Sequence, residues 1–256
     1  MRLLSSEWLK TKHTAIRWLT FCAPIIIALC VVGYLSINSN FTQQFVFEGF
    51  YTIWTAILIP VAVGVLAGFI VHEEEIAGNF MGFLGVGISR SRLFIGKFLF
   101  LWLCMTSCTF IAALVLSGGM ELLLPCGADI KLFLTAALLA SVGTLPLLAL
   151  HLWISFAWGL GASIGISFAG LLMAVLFGTT SLGASIWKFV PWTWPVKLGL
   201  LPGASFVEKS ANLSVSAVAA GAIQTCVTVL IVTCISLIVL LLGAVIWFNR
   251  WEGSKD

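Results

Sequence analysis

The sequence predicts an all-α integral membrane protein with six transmembrane helices, and three observations carry that prediction. Of its 256 residues, 61% are hydrophobic and only 9% are charged, against about 25% charged in an ordinary soluble domain. The apolar residues fall in runs long enough to cross a bilayer, which takes about 20 residues per helix. Tryptophans and basic residues collect near the ends of those runs, as interfacial anchoring and the positive-inside rule require. Six spans leave little chain for a soluble domain, so residues 1–256 read as a single transmembrane unit. A net charge of +3, spread along the chain, gives no support for nucleic-acid binding. Cys22, Cys30, Cys104, Cys108, Cys226 and Cys234 lie in apolar runs and Cys126 in a loop, so no disulfide framework is indicated.

The chain opens with MRLLSSEWLKTKHTAIRW, too long a charged stretch for a signal peptide. Ser6, Lys10, His13 and Arg17 recur at helical spacing opposite Leu4, Trp8, Ala15 and Leu19. Residues 1–17 therefore read as an amphipathic helix on the inner membrane surface. Spans are expected at about 18–35, 50–71, 93–116, 132–156, 158–177 and 223–248, with a loop over INSNFTQQFVFEG between the first two. The SFAWGLG junction leaves almost no loop between the fourth and fifth, which must pack as a hairpin. Pro146 should kink the fourth span, with Thr144 helping to satisfy the freed carbonyl. Gly64/Gly68 and Gly161/Gly165 are small-residue pairs suited to close helix contact.

Arg2, Lys10, Lys12, Arg17, Arg90, Arg92, Lys97, Arg250 and Lys255 fall on one side of the membrane. Lys131, Lys188, Lys197 and Lys209 fall on the other. This bias puts both termini in the cytoplasm. Residues 178–221 then face outward, with Trp187, Trp192 and Trp194 set among Pro191, Pro195 and Pro202. Prolines stop a full span there, and the tryptophans suit the headgroup layer. A pair of short re-entrant helices satisfies both, and forms either an aromatic anchor or a wall over a lateral exit path.

The span interiors carry no Asp, Glu, Lys or Arg of the kind that secondary transporters use as coupling sites. Lys97 and Glu48 are placed near enough to span ends to stay wet. His151 is the exception, expected as a neutral ring bonded to Ser155 or a backbone carbonyl. His72-Glu73 begins an HExxH pattern, but position 76 is Ile76, so no metal site follows. No P-loop occurs either. The chain binds no cofactor of its own and has no means of hydrolysing ATP alone.

The segment from Val71 to Lys97, VHEEEIAGNFMGFLGVGISRSRLFIGK, sets Glu73, Glu74 and Glu75 at the end of one span. Gly78, an apolar stretch with Phe80, Phe83 and Leu84, then Ser89, Arg90, Arg92 and Lys97 lead into the next. A connecting loop would be polar throughout, whereas this pattern suits a surface helix offering apolar side chains to another protein. It resembles the cytoplasmic coupling segment of ABC-2 type transporter permeases, here over residues 72–92. The layout of six spans, N-terminal amphipathic helix and re-entrant segment before the last span is similar to that family over nearly the whole chain. SEWLKTK, with Glu7, Leu9 and Lys10, and Pro191-Trp192 look like the permeases of lantibiotic immunity transporters, the MutE/EpiE/MutG group. One departure is Gly78-Asn79 where that family usually has Gly-Thr.

The resemblance implies a bacterial plasma-membrane protein that works with a diverged sister permease on a dimer of a separate ABC ATPase, where ATP and Mg²⁺ bind. The coupling segment would dock on that ATPase, with Phe80, Phe83 and Leu84 as apolar contact and the charges fixing register. Closure on ATP would expel a cationic, membrane-active peptide past membrane lipid, with Trp187, Pro191, Trp192 and Trp194 at the outward gate. Export of a drug or lipid, secondary transport, and a membrane scaffold are the alternatives.

Overall fold

The computed structural model describes residues 2–37, 41–78, 80, 85, 87–123, 127–206 and 215–251, and all regular structure among them is helical. The elements are α1 (Arg2–Lys10), α2 (Ala15–Ile37), α3 (Gln43–Ile76), α4 (Arg90–Leu123), α5 (Ile130–Thr179), α6 (Trp194–Leu200) and α7 (Val215–Arg250). Five helical stretches among the described residues, α2 to α5 and α7, are long and apolar enough to cross a membrane. Two departures from the sequence expectation lie near the start of the chain. The N-terminal helix stops at Lys10, and Thr14 adopts an extended conformation before α2 begins at Ala15. The INSNFTQQFVFEG stretch is helical from Gln43, because Thr42 caps α3 by accepting from the Phe45 amide. Trp54, expected near a span end, consequently lies three turns inside α3, where it is buried and donates to Thr109 Oγ1 at 3.3 Å.

Proline shapes α2 and α3. A helical proline lacks an N–H and its ring presses on the carbonyl four residues back. Widening the preceding turn relieves the clash. The π turn Trp18–Cys22 stands before Pro24, and the π turn Trp54–Leu58 before Pro60. Pro146, by contrast, sits inside α5 with no such turn. Thr144 Oγ1 donates to the carbonyl of Ala140 at 2.7 Å; the carbonyl that Pro146 frees belongs to Val142, so Thr144 serves another.

A straight helix of 50 residues would be about 75 Å long, more than twice the hydrocarbon thickness. α5 is instead folded in two at Gly159, whose φ of 84° and ψ of −174° break the helix inside the SFAWGLG junction. The fold-back is visible in contacts that a straight helix forbids. His151 Nδ1 lies 3.2 Å from Ser163 Oγ, whereas twelve residues of straight helix separate their ends by about 18 Å. Ser163 Oγ in turn donates to the Gly64 carbonyl at 2.9 Å, so the imidazole donates to Ser163 through Nδ1–H. Ser155, the partner expected for this ring, donates to the His151 carbonyl instead.

The second arm of α5 packs on α3, the innermost of the spans, 61% of whose apolar stretch is buried, against 17% for α7. A Cβ built on Gly64 would come within 2.4 Å of Ser167 Cβ, and one on Gly68 within 2.4 Å of Leu160 Cδ1. That small-residue pair is a true contact. Gly161 and Gly165 meet nothing within 4 Å and make no helix contact among the described residues.

The segment before α7 is packed into the bundle. Trp194, placed by sequence in the headgroup layer, is 2% exposed and lies against Leu198 and Val229. A Cβ on Gly143 would touch the backbone of Trp194 and Pro195 at 2.9–3.0 Å, and one on Gly170 would fall 2.0 Å from Trp192 Nε1. Trp192 also meets the His151 ring edge-on at 6.2 Å between centroids. Trp187 and Pro191 are half-buried and Phe189 is exposed. These tryptophans thus fill glycine-sized notches in α5, because helices of small residues leave apolar space that lipid need not fill.

Candidate functional site

Five parts of the chain meet at one end of the bundle: α1, the C-terminus of α3, the N-terminus of α4, the Gly159 turn and the C-terminus of α7. Most of the basic residues gather here, so this is called the basic end.

Its polar centre is a four-residue ion cluster. Lys97 Nζ lies 3.0 Å from Glu7 Oε2 and 2.8 Å from Glu74 Oε1, and Lys10 Nζ lies 2.6 Å from that same Glu74 oxygen. Lys10 also approaches Glu7 at 3.6 Å. Lys97, read from sequence as wet, is only 1% exposed. The reason is α1: Glu7 comes down on α4 and supplies a second carboxylate. A buried ammonium is tolerable only with such partners. Lys10 is pulled down in pKa by partial burial, an effect outweighed by hydrogen bonding to Glu74 and the charge of Glu7, and its net pKa is raised.

The turn after α3 is set by Gly78, whose φ of 142° favours glycine. Ala77 N–H donates to Glu73 O and Phe80 N–H to Glu74 O, closing the helix end. Phe80 holds a left-handed φ of 64°, a conformation that costs a non-glycine residue about 1–2 kcal/mol. Its ring, expected to face a partner protein, is 1% exposed. It packs edge-on to Trp251 at 4.9 Å and against Phe156 at 6.2 Å, and Phe94 and Phe248 complete the cluster. Phe83 and Leu84 lie outside the described residues.

Arg90 is likewise used within the chain. Its Nη1 donates to the Trp251 carbonyl and, at 3.2 Å, to the Asn249 carbonyl. Ser91 Oγ donates to Asn249 Oδ1 at 3.0 Å. The Arg90 bonds satisfy carbonyls at and just beyond the end of α7, which have no helical partner.

Of the remaining expected residues, Glu73, Ser89 and Arg92 are exposed, and Glu75 is half-buried with its Oε2 3.3 Å from His72 Nδ1. Ile76 is 73% exposed on the same turn as Glu73. Sequence reasoning missed Glu7 and Trp251 as members of this site. SEWLKTK did hold the signal for Glu7, since Glu7 and Lys10 are one helical turn apart. Among the described residues no three His, Cys, Asp or Glu side chains group closely enough to hold a metal ion.

No curated protein and no solved structure matches the chain. One family model does, described as ABC-2 family transporter protein, over residues 3–170. The match covers α1 to α4, the turn between α3 and α4 and most of α5, and stops before the Trp192 segment. It spans well over half of the 256 residues, and the chain therefore belongs to the ABC-2 transporter family, as a multi-pass membrane subunit of the kind driven by a separate ABC ATPase.

Proposed function

We propose that this chain is the permease half of an ATP-driven exporter and is moved by its ATPase through the basic end. The observation that carries the reading is the contrast between what that end buries and what it leaves outside. Glu74, Phe80, Arg90 and Lys97 tie the turn to α1, α4, α5 and α7, so a push on it moves those elements together. Glu73 and Ile76 stand exposed at the end of α3, and Ser89 and Arg92 at the start of α4, so the two helix ends offer charges of opposite sign and an apolar side chain, a combination suited to fixing register on a protein groove.

In this reading the two arms of α5 each cross the membrane, giving six spans with both termini in the cytoplasm of a bacterium. The arms run over 130–158 and 160–179, about 43 and 30 Å long, enough for one crossing each. A diverged sister permease completes the pathway, and a dimer of the ATPase holds ATP and Mg²⁺. The cargo is a cationic, membrane-active peptide of the lantibiotic class, leaving past Trp187, Pro191 and Trp192. Support for that cargo is the SEWLKTK and Pro191-Trp192 resemblance.

The test is ATP hydrolysis by the reconstituted permease–ATPase complex in vesicles, with and without a cationic lanthionine-containing peptide. Peptide-stimulated hydrolysis is expected with the native chain and lost in Glu73→Ala/Arg92→Ala, while membrane insertion stays intact. Stimulation equal in both overturns the docking assignment. Stimulation by an amphipathic drug but not by the peptide overturns the cargo alone.

A further inference from the structure

A second feature of the basic end is a cavity of about 610 Å³ roofed by α1 and walled by α2 and α4. Leu4, Trp8 and Leu9 form its roof, and Phe21, Phe100 and Leu103 its walls. From Phe100 to Ser107 it extends about 10 Å along α4, into the depth that bilayer hydrocarbon occupies. Its volume falls within the range of small-molecule sites, about 300–1,000 Å³. Ser5, Thr20, Cys104 and Ser107 complete the lining, and no charged side chain enters it.

The mouth differs. Arg17 lies over the Trp8 ring at 4.4 Å and its Nη2 donates to the Trp8 carbonyl at 2.5 Å. Its Nε has no partner among the described residues. Lys12 is exposed on the turn that joins α1 to α2. Trp18 is 71% exposed one residue beyond Arg17, the position an interfacial ring takes at headgroup depth. Apolar walls below a pair of cations, at the depth where headgroups begin, fit a molecule with an anionic head and a hydrocarbon tail.

We propose that this cavity holds one acyl chain of an anionic phospholipid, with its phosphate on Arg17 and Lys12. The lipid would serve as a wedge beneath α1, which the cluster at Glu7 and Lys10 and the stack of Arg17 on Trp8 hold to the spans. Charge complementarity selects this occupant. A neutral tail alone leaves the charge of Lys12 and Arg17 without an anion, and a soluble anion leaves the walls empty.

The test is native mass spectrometry of the full chain, extracted in mild detergent from membranes containing both phosphatidylglycerol and phosphatidylethanolamine. One phosphatidylglycerol per chain is expected to survive washing that strips bulk lipid. Arg17→Gln should weaken its retention about fivefold, the effect of losing one interfacial cation. Ser107→Phe, which fills the cavity, should abolish retention, and Leu103→Trp at its wall serves if that variant is not inserted. Millimolar inorganic phosphate should not displace the lipid. Equal retention in native and Arg17→Gln chains, equal holding of phosphatidylethanolamine, displacement by free phosphate, or a second protein chain in place of lipid would each overturn the proposal.

Discussion

The basic end and the middle of the bundle are fastened by different physics. At the basic end the joints are polar: Glu7, Lys10, Glu74 and Lys97 share protons and charge, and Arg90 caps α7. Deeper in the bundle the joint is steric, with Trp192 and Trp194 seated over Gly170 and Gly143, each near the middle of an arm of α5. Charge joints can be broken by deleting an atom or two with little change of volume. Notch joints are broken by adding one. Where elements meet at the basic end they are held by directional bonds, while within the spans they are held by fit.

Removing the charge of Lys97 is the severest way to break the first kind of joint. Lys97→Met leaves Glu7 and Glu74 buried together with only half-exposed Lys10 between them, and loss of one partner from such a buried set costs about 3–5 kcal/mol. Thermal unfolding in detergent is expected to drop accordingly, and protease access to α1 to rise. A near-native melting point would show that the cluster is not the fastening.

The second joint is probed by Gly170→Ala, which adds a Cβ where Trp192 Nε1 now sits. Overpacking of this kind costs about 1–3 kcal/mol. Combining it with Trp192→Leu should recover much of that loss, a rescue that a general helix effect would not show. Gly161→Ala, on the open face of the same arm, is expected to be neutral or slightly stabilising, and serves as the internal control.

Arg90→Gln sharpens the comparison from the polar side. It removes the charge-assisted bonds that cap α7, worth about 1.5–3 kcal/mol where fully formed and less at a partly exposed site such as this. The expected signature is faster amide exchange confined to the last turn of α7, read by hydrogen–deuterium exchange. The smallest stability effect belongs to Glu73→Gln, within about 0.5 kcal/mol, since this side chain touches nothing that the fold needs. Its effect should appear only when the ATPase is present.

The same contrast explains what the sequence made legible. The all-helical, membrane-length character of the chain and the turn-back at Gly159 follow from hydropathy and from SFAWGLG, because lipid imposes length and apolarity on each crossing. The polar turn between α3 and α4 was also visible as a pattern of charge types. What its residues touch was not. Lys97 reads as a snorkelling cation until Glu7, ninety residues earlier, is placed beside it, and Phe80 reads as an offered contact until Trp251 covers it. Trp194 reads as an interfacial anchor because tryptophans near prolines usually are, and only the Gly143 notch shows otherwise. Each miss involves a partner distant in sequence, which local spacing cannot supply.

The central claim is that a separate ATPase drives this chain through its basic end. The most direct measurement is a mild-detergent pull-down of the tagged native chain, compared with Glu73→Ala/Arg92→Ala, with mass spectrometry of what stays bound. The account predicts a Walker-type ATPase with the native chain and its loss from the variant. Recovery of no ATPase, from membranes in which a control transporter keeps its own, would contradict it.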